Sequence, residues 1–94
     1  MELHGLIWLD EIVDKLAWKH NVVRAEVVEV LDSKPHIRFI EKGHRDGENV
    51  YAAFGRTAAG RYLIIFYVLK LDGMGLILSA RDMSPKERKY YENR

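Results

Sequence analysis

The longest apolar run in the chain covers residues 62–69, within a strand predicted at residues 60–70. Its β-branched and aromatic side chains would make both faces of an extended chain apolar. This pattern predicts a strand buried on both sides, at the centre of a sheet. Before it, the small residues 57–60 predict a tight hairpin with an antiparallel strand at residues 50–56.

Alternating polarity and turn residues mark the other strands. Residues 36–41 alternate as a strand with one solvated face does, and the turn residues 71–75 precede another apolar run. The short apolar segment 6–9 is either an edge strand or the entry to a helix. We therefore predict an antiparallel meander of about four strands. Its strands cover residues 36–41, 49–56, 60–70 and 76–81.

Apolar residues at helical spacing predict two helices before the sheet. The first begins at an Asp10 N-cap and runs to about residue 20, where Asn21 can adopt the left-handed conformation that ends a helix. The second covers residues 22–31, although its five valines also favour a strand. A third helix follows the sheet and runs from residue 84 to about residue 91. Its start, Ser84-Pro85-Lys86-Glu87, has the pattern of a capping box.

The order helix, helix, four strands, helix predicts an α+β domain whose helices cover one face of an antiparallel sheet. Residues 1–94 contain no repeat or low-complexity segment, so we expect a single domain. With no cysteine, the chain has no disulfide, thiolate zinc site or cysteine nucleophile. Its start lacks a basic leader and a long apolar stretch, so we expect a cytoplasmic protein without a membrane span.

The charges are distributed unevenly, although the net charge is only +1. Residues 1–32 contain seven acidic and three basic side chains, whereas residues 33–94 contain seven acidic and twelve basic ones. This asymmetry favours an anion-binding surface in the second part of the chain. Small proteins also show such asymmetry by chance.

Several fragments keep the order and spacing of a known family. They are Ile7-Trp8-Leu9-Asp10, Lys19-His20-Asn21-Val22, residues 26–31, the hairpin Gly55-Arg56-Thr57…Gly60-Arg61, and Ser79-Ala80-Arg81-Asp82-Met83 with Glu87 and Tyr90. Together they resemble the BrnT toxin family over nearly the whole chain. The resemblance implies a RelE-like fold and a toxin of a bacterial type II toxin–antitoxin pair.

The resemblance also implies an activity and a partner. The activity is metal-independent RNA cleavage without a cofactor, in which the ribose 2′-hydroxyl attacks the adjacent phosphate and translation stops. The partner is a small DNA-binding, BrnA-like antitoxin, and the resemblance allows a homodimer within the complex. The alternative function is a non-catalytic RNA-binding or protein-interaction module on the same fold.

Such cleavage needs a base, an acid and cations that stabilise the phosphate. The family pattern matches Arg56, Arg61 and Arg81, which the predicted strands place at strand ends, so we expect them to converge on one rim and hold the phosphate. In the alternative interpretation, each arginine pairs with a nearby carboxylate such as Glu87 or Asp82.

The candidates for proton transfer are His20 and Glu87. Each also has a structural explanation, because His20 suits the end of a helix and Glu87 suits the capping box with Ser84. The four histidines are scattered without ligand spacing, so we predict no metal site. Four further side chains are predicted to contact RNA, and Tyr90 among them is also a candidate core residue. They are Lys19, Lys86, Lys89 and Tyr90.

Overall fold

A five-stranded mixed sheet forms the centre of the protein, with the strand order β1-β5-β4-β3-β2. The computed structural model describes residues 3–94. The strands are β1 (Gly5–Ile7), β2 (His36–Lys42), β3 (Asn49–Arg56), β4 (Tyr62–Leu69) and β5 (Met74–Asp82). The helices are α1 (Asp10–His20), α2 (Arg24–Asp32) and α3 (Pro85–Glu92). Met1 and Glu2, which contributed to the expectation that the chain has no leader, lie outside the described residues.

The predicted α+β class is confirmed, and the predicted meander is present as β2 to β5, all antiparallel. The prediction of a four-stranded antiparallel sheet was wrong in one respect. A fifth strand, β1, pairs in parallel with β5, and Gly5 lies opposite Met74. A strand of three residues is too short to show alternating polarity, so the sequence left residues 6–9 open between an edge strand and a helix entry.

Strand β4 is the middle strand and is buried on both sides, as its composition predicts. Leu63, Ile65 and Tyr67 belong to the core on one side of the sheet. Ile64 belongs to the core on the other side, where Phe66 packs against it. Strand β4 therefore contributes side chains to the hydrophobic cores on both faces of the sheet.

The helices lie on both faces, not on one face as predicted. Leu16 of α1 and two valines of α2, Val27 and Val30, are buried in the core that includes Leu63. Tyr91 of α3 packs against the opposite core. The connection from β5 to α3 is very short and returns the chain across the second face. The amphipathic pattern of α3 shows that one side is covered, but not which face of the sheet covers it.

The predicted helix ends are largely confirmed. Asn21 ends α1 in the left-handed conformation, with φ of 53°. Leu9 occupies the N-cap position predicted for Asp10, which is the first helical residue. Helix α2 begins at Arg24, two residues later than predicted. At the start of α3, the Ser84 hydroxyl accepts from the Glu87 N–H (3.2 Å) and the Glu87 carboxylate accepts from the Ser84 N–H (2.8 Å).

These helices contain 11, 9 and 8 residues. Within residues 3–94, no helix is both long enough and apolar enough to cross a lipid bilayer.

Candidate nucleic-acid interface

The three predicted arginines lie at the same end of the sheet but not on the same face. Arg56 ends β3 and Arg81 lies near the end of β5, whereas Arg61 comes just before β4. The Arg61 side chain contacts groups of α1 and α2. The Arg81 side chain contacts Glu87 of α3 on the opposite face. The structure therefore brings Arg56 and Arg81 to one face and separates Arg61 from them.

Arg61 uses all five of its side-chain N–H donors. Nε and Nη2 donate to the Asp82 carboxylate at 2.8 and 3.2 Å. Nη1 donates to Glu26 at 3.1 Å and to the Asn21 carbonyl at 2.5 Å, and Nη2 also donates to the His20 carbonyl at 3.0 Å. Hydrogen bonding to Asp82 raises the pKa of Arg61 and lowers the pKa of Asp82. A phosphate could bind Arg61 only by displacing one of these groups.

Arg81 is also held by a carboxylate. Its two terminal nitrogens donate to the two Glu87 oxygens at 2.6 and 2.9 Å. The hydrogen bonds from Arg81, with a smaller contribution from Ser84, lower the pKa of Glu87 to about 2. A carboxylate with so low a pKa is a weak base at neutral pH. For Arg61 and Arg81, the structure therefore shows the carboxylate pairing that the alternative interpretation expected.

The other predicted residues are spread over the molecule. His20 is the last residue of α1 and lies close enough to Asp82 to help lower the pKa of that carboxyl group. The three lysines are exposed and form no ion pair within residues 3–94. They are Lys19, Lys86 and Lys89. Of the four predicted RNA contacts, Tyr90 has the most extensive side-chain contacts.

Arginine side chains stack on tyrosine rings around α3. The guanidinium carbons of Arg88 and Arg56 lie 3.8 and 4.6 Å from the Tyr62 ring centre. Arg38 lies 5.0 Å from the Tyr90 ring centre. We call this region the arginine–tyrosine surface. It consists of Arg38, Arg56, Arg88 and Arg94 with Tyr62, Tyr90 and Tyr91, because Arg94 lies 3.9 Å from the Tyr91 ring centre.

The two arginines of this surface that lie on strands carry uncompensated charge. Arg38 and Arg56 are exposed, and neither forms an ion pair with any other residue in the described part of the chain. A guanidinium on an aromatic ring keeps its N–H donors available for a phosphate, and its outer face can stack on a base. Both charge and stacking are therefore available at this surface.

His36 extends the arginine–tyrosine surface on β2. Its Nε2 lies 2.8 Å from the Tyr90 hydroxyl, and its ring packs at an angle against Phe54. Sequence reasoning missed His36 and Arg38 as functional candidates and assigned them only to the solvated face of a strand. The alternation of residues 36–41 places both side chains on one face of a strand, and this was the signal in the sequence that could have identified them. The missing information was the contact with Tyr90, which lies 54 positions away from His36.

A separate groove lies away from this surface. It has a volume of about 720 Å³ and is lined mainly by apolar residues of β1, α2 and the start of β2. Within residues 3–94, no three histidine, aspartate or glutamate side chains are grouped as metal ligands would be. In comparisons with known proteins, no protein-family model and no curated protein matched this chain.

Proposed function

We propose that this protein is an endoribonuclease toxin of a type II toxin–antitoxin pair and that it binds single-stranded RNA on its arginine–tyrosine surface. The observation that carries this proposal is the stacking of arginines on tyrosines around α3, with Arg38 and Arg56 free of carboxylate partners in residues 3–94. Unpaired RNA presents phosphates and base faces together, and this surface offers partners for both.

The resemblance to the BrnT family supports the toxin part of the proposal. In this proposal the chain has a RelE-like fold, acts in the cytoplasm and is neutralised by a small DNA-binding, BrnA-like antitoxin, with a homodimer possible within the complex. The 2′-hydroxyl serves as the nucleophile, so the protein must supply proton transfer and positive charge. The arginine–tyrosine surface supplies the charge.

A second candidate is a module that binds RNA without cleaving it. The ion pairs of Arg61 and Arg81 favour this candidate, because both guanidinium groups already bind carboxylates. If RNA is cleaved, these two arginines stabilise the fold and the phosphate is held elsewhere on the surface.

Tightly controlled expression in bacteria tests the proposal. Wild-type protein should stop growth and produce cleaved RNA at the moment of arrest. The double variant Arg38→Ala/Arg56→Ala should lose both effects, with cleavage reduced about a hundredfold or more. Arg24→Ala is the matched control, because Arg24 also stacks on an aromatic ring, Trp8, but belongs to α2. This control should behave like wild type.

Two other outcomes would contradict the proposal. Folded wild-type protein that binds RNA without cleavage would establish the binding module. A double variant that cleaves RNA as well as Arg24→Ala does would show that the arginine–tyrosine surface is not the site.

A further inference from the structure

His36, Arg38 and Tyr90 form a compact group at the outer edge of the sheet. His36 and Arg38 are two residues apart on β2, and the Tyr90 side chain reaches both of them from α3. Among residues 3–94, Tyr90 is the one hydrogen-bond partner of the His36 ring. The ring therefore has a second nitrogen, Nδ1, that is not hydrogen-bonded within the described chain.

We infer that this group is the catalytic centre for RNA cleavage, with His36 as the base, Tyr90 as the acid and Arg38 as the phosphate ligand. The inference rests on the proposed function and identifies the residues that carry it out. It differs from the sequence prediction, which assigned proton transfer to His20 and Glu87 and phosphate binding to three other arginines.

The hydrogen bond between His36 and Tyr90 suits His36 as the base and Tyr90 as the acid. When the imidazole proton is on Nε2, the ring donates it to the Tyr90 oxygen, and Nδ1 keeps a lone pair that can accept a proton. The Tyr90 hydroxyl can then donate its own proton to a third group. The accepting atom, Nδ1, and the donating atom, the Tyr90 oxygen, thus lie at opposite ends of the hydrogen-bonded pair. In-line attack requires a base and an acid on opposite sides of phosphorus, and this arrangement suits that requirement.

The proton and electron pairs balance over one cycle. The 2′-oxygen forms a bond to phosphorus, and its proton moves to His36 Nδ1. The bond between phosphorus and the 5′-oxygen breaks, and the 5′-oxygen takes the Tyr90 hydroxyl proton. The Nε2 proton then moves to the Tyr90 oxygen. The products end in a 2′,3′-cyclic phosphate and a 5′-hydroxyl, and both side chains are neutral again. Proton exchange with water then returns the imidazole proton from Nδ1 to Nε2 and closes the cycle.

Arg38 completes the group as a cation. Its guanidinium carbon lies 5.0 Å from the Tyr90 ring centre, and the side chain is exposed. It has no carboxylate partner within residues 3–94, in contrast to Arg61 and Arg81. Its fork of N–H donors can therefore hold the non-bridging phosphate oxygens without first breaking an ion pair.

The test uses purified full-length protein and a labelled, mixed-sequence, single-stranded RNA. His36→Gln should lower the cleavage rate at saturating RNA by about a hundredfold while RNA affinity stays within about threefold of wild type. Tyr90→Phe should show a similar loss of rate, and Arg38→Ala should lower both rate and affinity. His44→Gln, which changes an exposed histidine between β2 and β3, is the matched control and should cleave normally.

The pH dependence distinguishes a base from a structural residue. The groups that face His36 are Tyr90 of α3 and Phe54 of β3, with Arg38 along its own strand. A general base acts only in its unprotonated form, so wild-type cleavage should fall at acid pH, and this decline should be absent from the residual activity of His36→Gln.

The experiment gives different results if the assignment of His36 is wrong and if the proposed ribonuclease activity is wrong. If wild type and His36→Gln cleave equally, or if both show the same decline at acid pH, the assignment of His36 is overturned and the proposed ribonuclease stands. If wild type binds the RNA but does not cleave it, the proposed ribonuclease fails, and this assignment fails with it. A His36→Gln variant that loses affinity but keeps its rate would also overturn the assignment.

Discussion

Arg56 and Arg61 belong to one hairpin but have different surroundings. Arg56 is exposed and stacks on Tyr62, which lies opposite it in the sheet. Arg61 is three-quarters buried and joins the end of α1, the first turn of α2 and the end of β5 through its five N–H donors. The partners of an arginine, and not its position at a strand end, decide whether it can bind a phosphate.

This difference predicts unequal effects on stability. Arg61→Ala should lower the free energy of unfolding by about 3 kcal/mol, because Glu26 and Asp82 would lose their common cation. Arg56→Ala should cost less than about 1 kcal/mol, the usual range for an exposed cation–π pair. Urea unfolding of both variants measures the difference. Equal effects would contradict the structural role of Arg61.

Residue types alone predicted part of this arrangement. Glu87 and Asp82 could be named as carboxylate partners because they are close in sequence to Arg81. Glu26 could not be named, because it lies 35 positions from Arg61 and reaches it only once α2 has packed on the sheet. The pair of His36 and Tyr90 depends on the tertiary fold in the same way.

At the scale of a single element, the start of helix α3 also determines how the helix is attached to the sheet. Its first turn is fixed by the capping box of Ser84 and Glu87, and the same Glu87 binds Arg81 of β5. One carboxylate therefore both starts the helix and ties it to the sheet. Since α3 carries Tyr90 and Arg88, this contact also positions the arginine–tyrosine surface.

Acid should weaken this attachment in a defined pH range. The folded-state pKa of Glu87 is about 2, below its ordinary value of 4.5, so the contribution of the pair is complete above about pH 5 and is lost as the pH falls towards 2. Glu87→Gln keeps a capping side chain but removes the charge. At pH 7 it should cost on the order of 2 kcal/mol in free energy of unfolding.

The difference between wild type and Glu87→Gln should shrink at low pH, which unfolding titrations at pH 7 and pH 3 can measure. Glu92→Gln is the control, because the ion pair of Glu92 with Arg88 is long, at 3.7 Å, and a glutamine can still accept the 3.3 Å hydrogen bond from the Tyr62 hydroxyl. A difference that stays constant over this range would contradict the charge-based attachment of α3.

Elements with strong local signals were predicted well. The hairpin between β3 and β4, the left-handed end of α1 and the capping box of α3 each depend on residues within a few positions of one another. Strand β1 and the face covered by α3 depend on distant residues. In α2, burial of Val27 and Val30 against the sheet outweighs the strand preference of valine.

At the scale of the whole molecule, the uneven charge has a structural counterpart. The arginines of the arginine–tyrosine surface all come from residues 33–94, the basic part of the sequence, although they lie on β2, β3 and α3 and, for Arg94, after α3. The sequence predicted the sign of this surface but not its location, because only the sheet register and the path of α3 bring these side chains together.

Binding of RNA to this surface should depend on salt. The logarithm of affinity should fall linearly with the logarithm of salt concentration, and Arg56→Ala/Arg88→Ala should reduce the slope by about 1.4. Arg24→Ala should leave the slope unchanged. Filter binding of single-stranded RNA at several salt concentrations measures all three slopes, and an unchanged slope in the double variant would exclude these arginines from phosphate contacts.

The parallel pairing of β1 with β5 has a consequence for biosynthesis. Translation produces Gly5 before its neighbour Met74, with two helices and three strands made between them. Contacts between such distant segments form late, because the intervening chain must first be ordered. A nascent chain therefore carries an unpaired β1 until β5 has been made. Since α3 follows β5, the arginine–tyrosine surface is also absent until then.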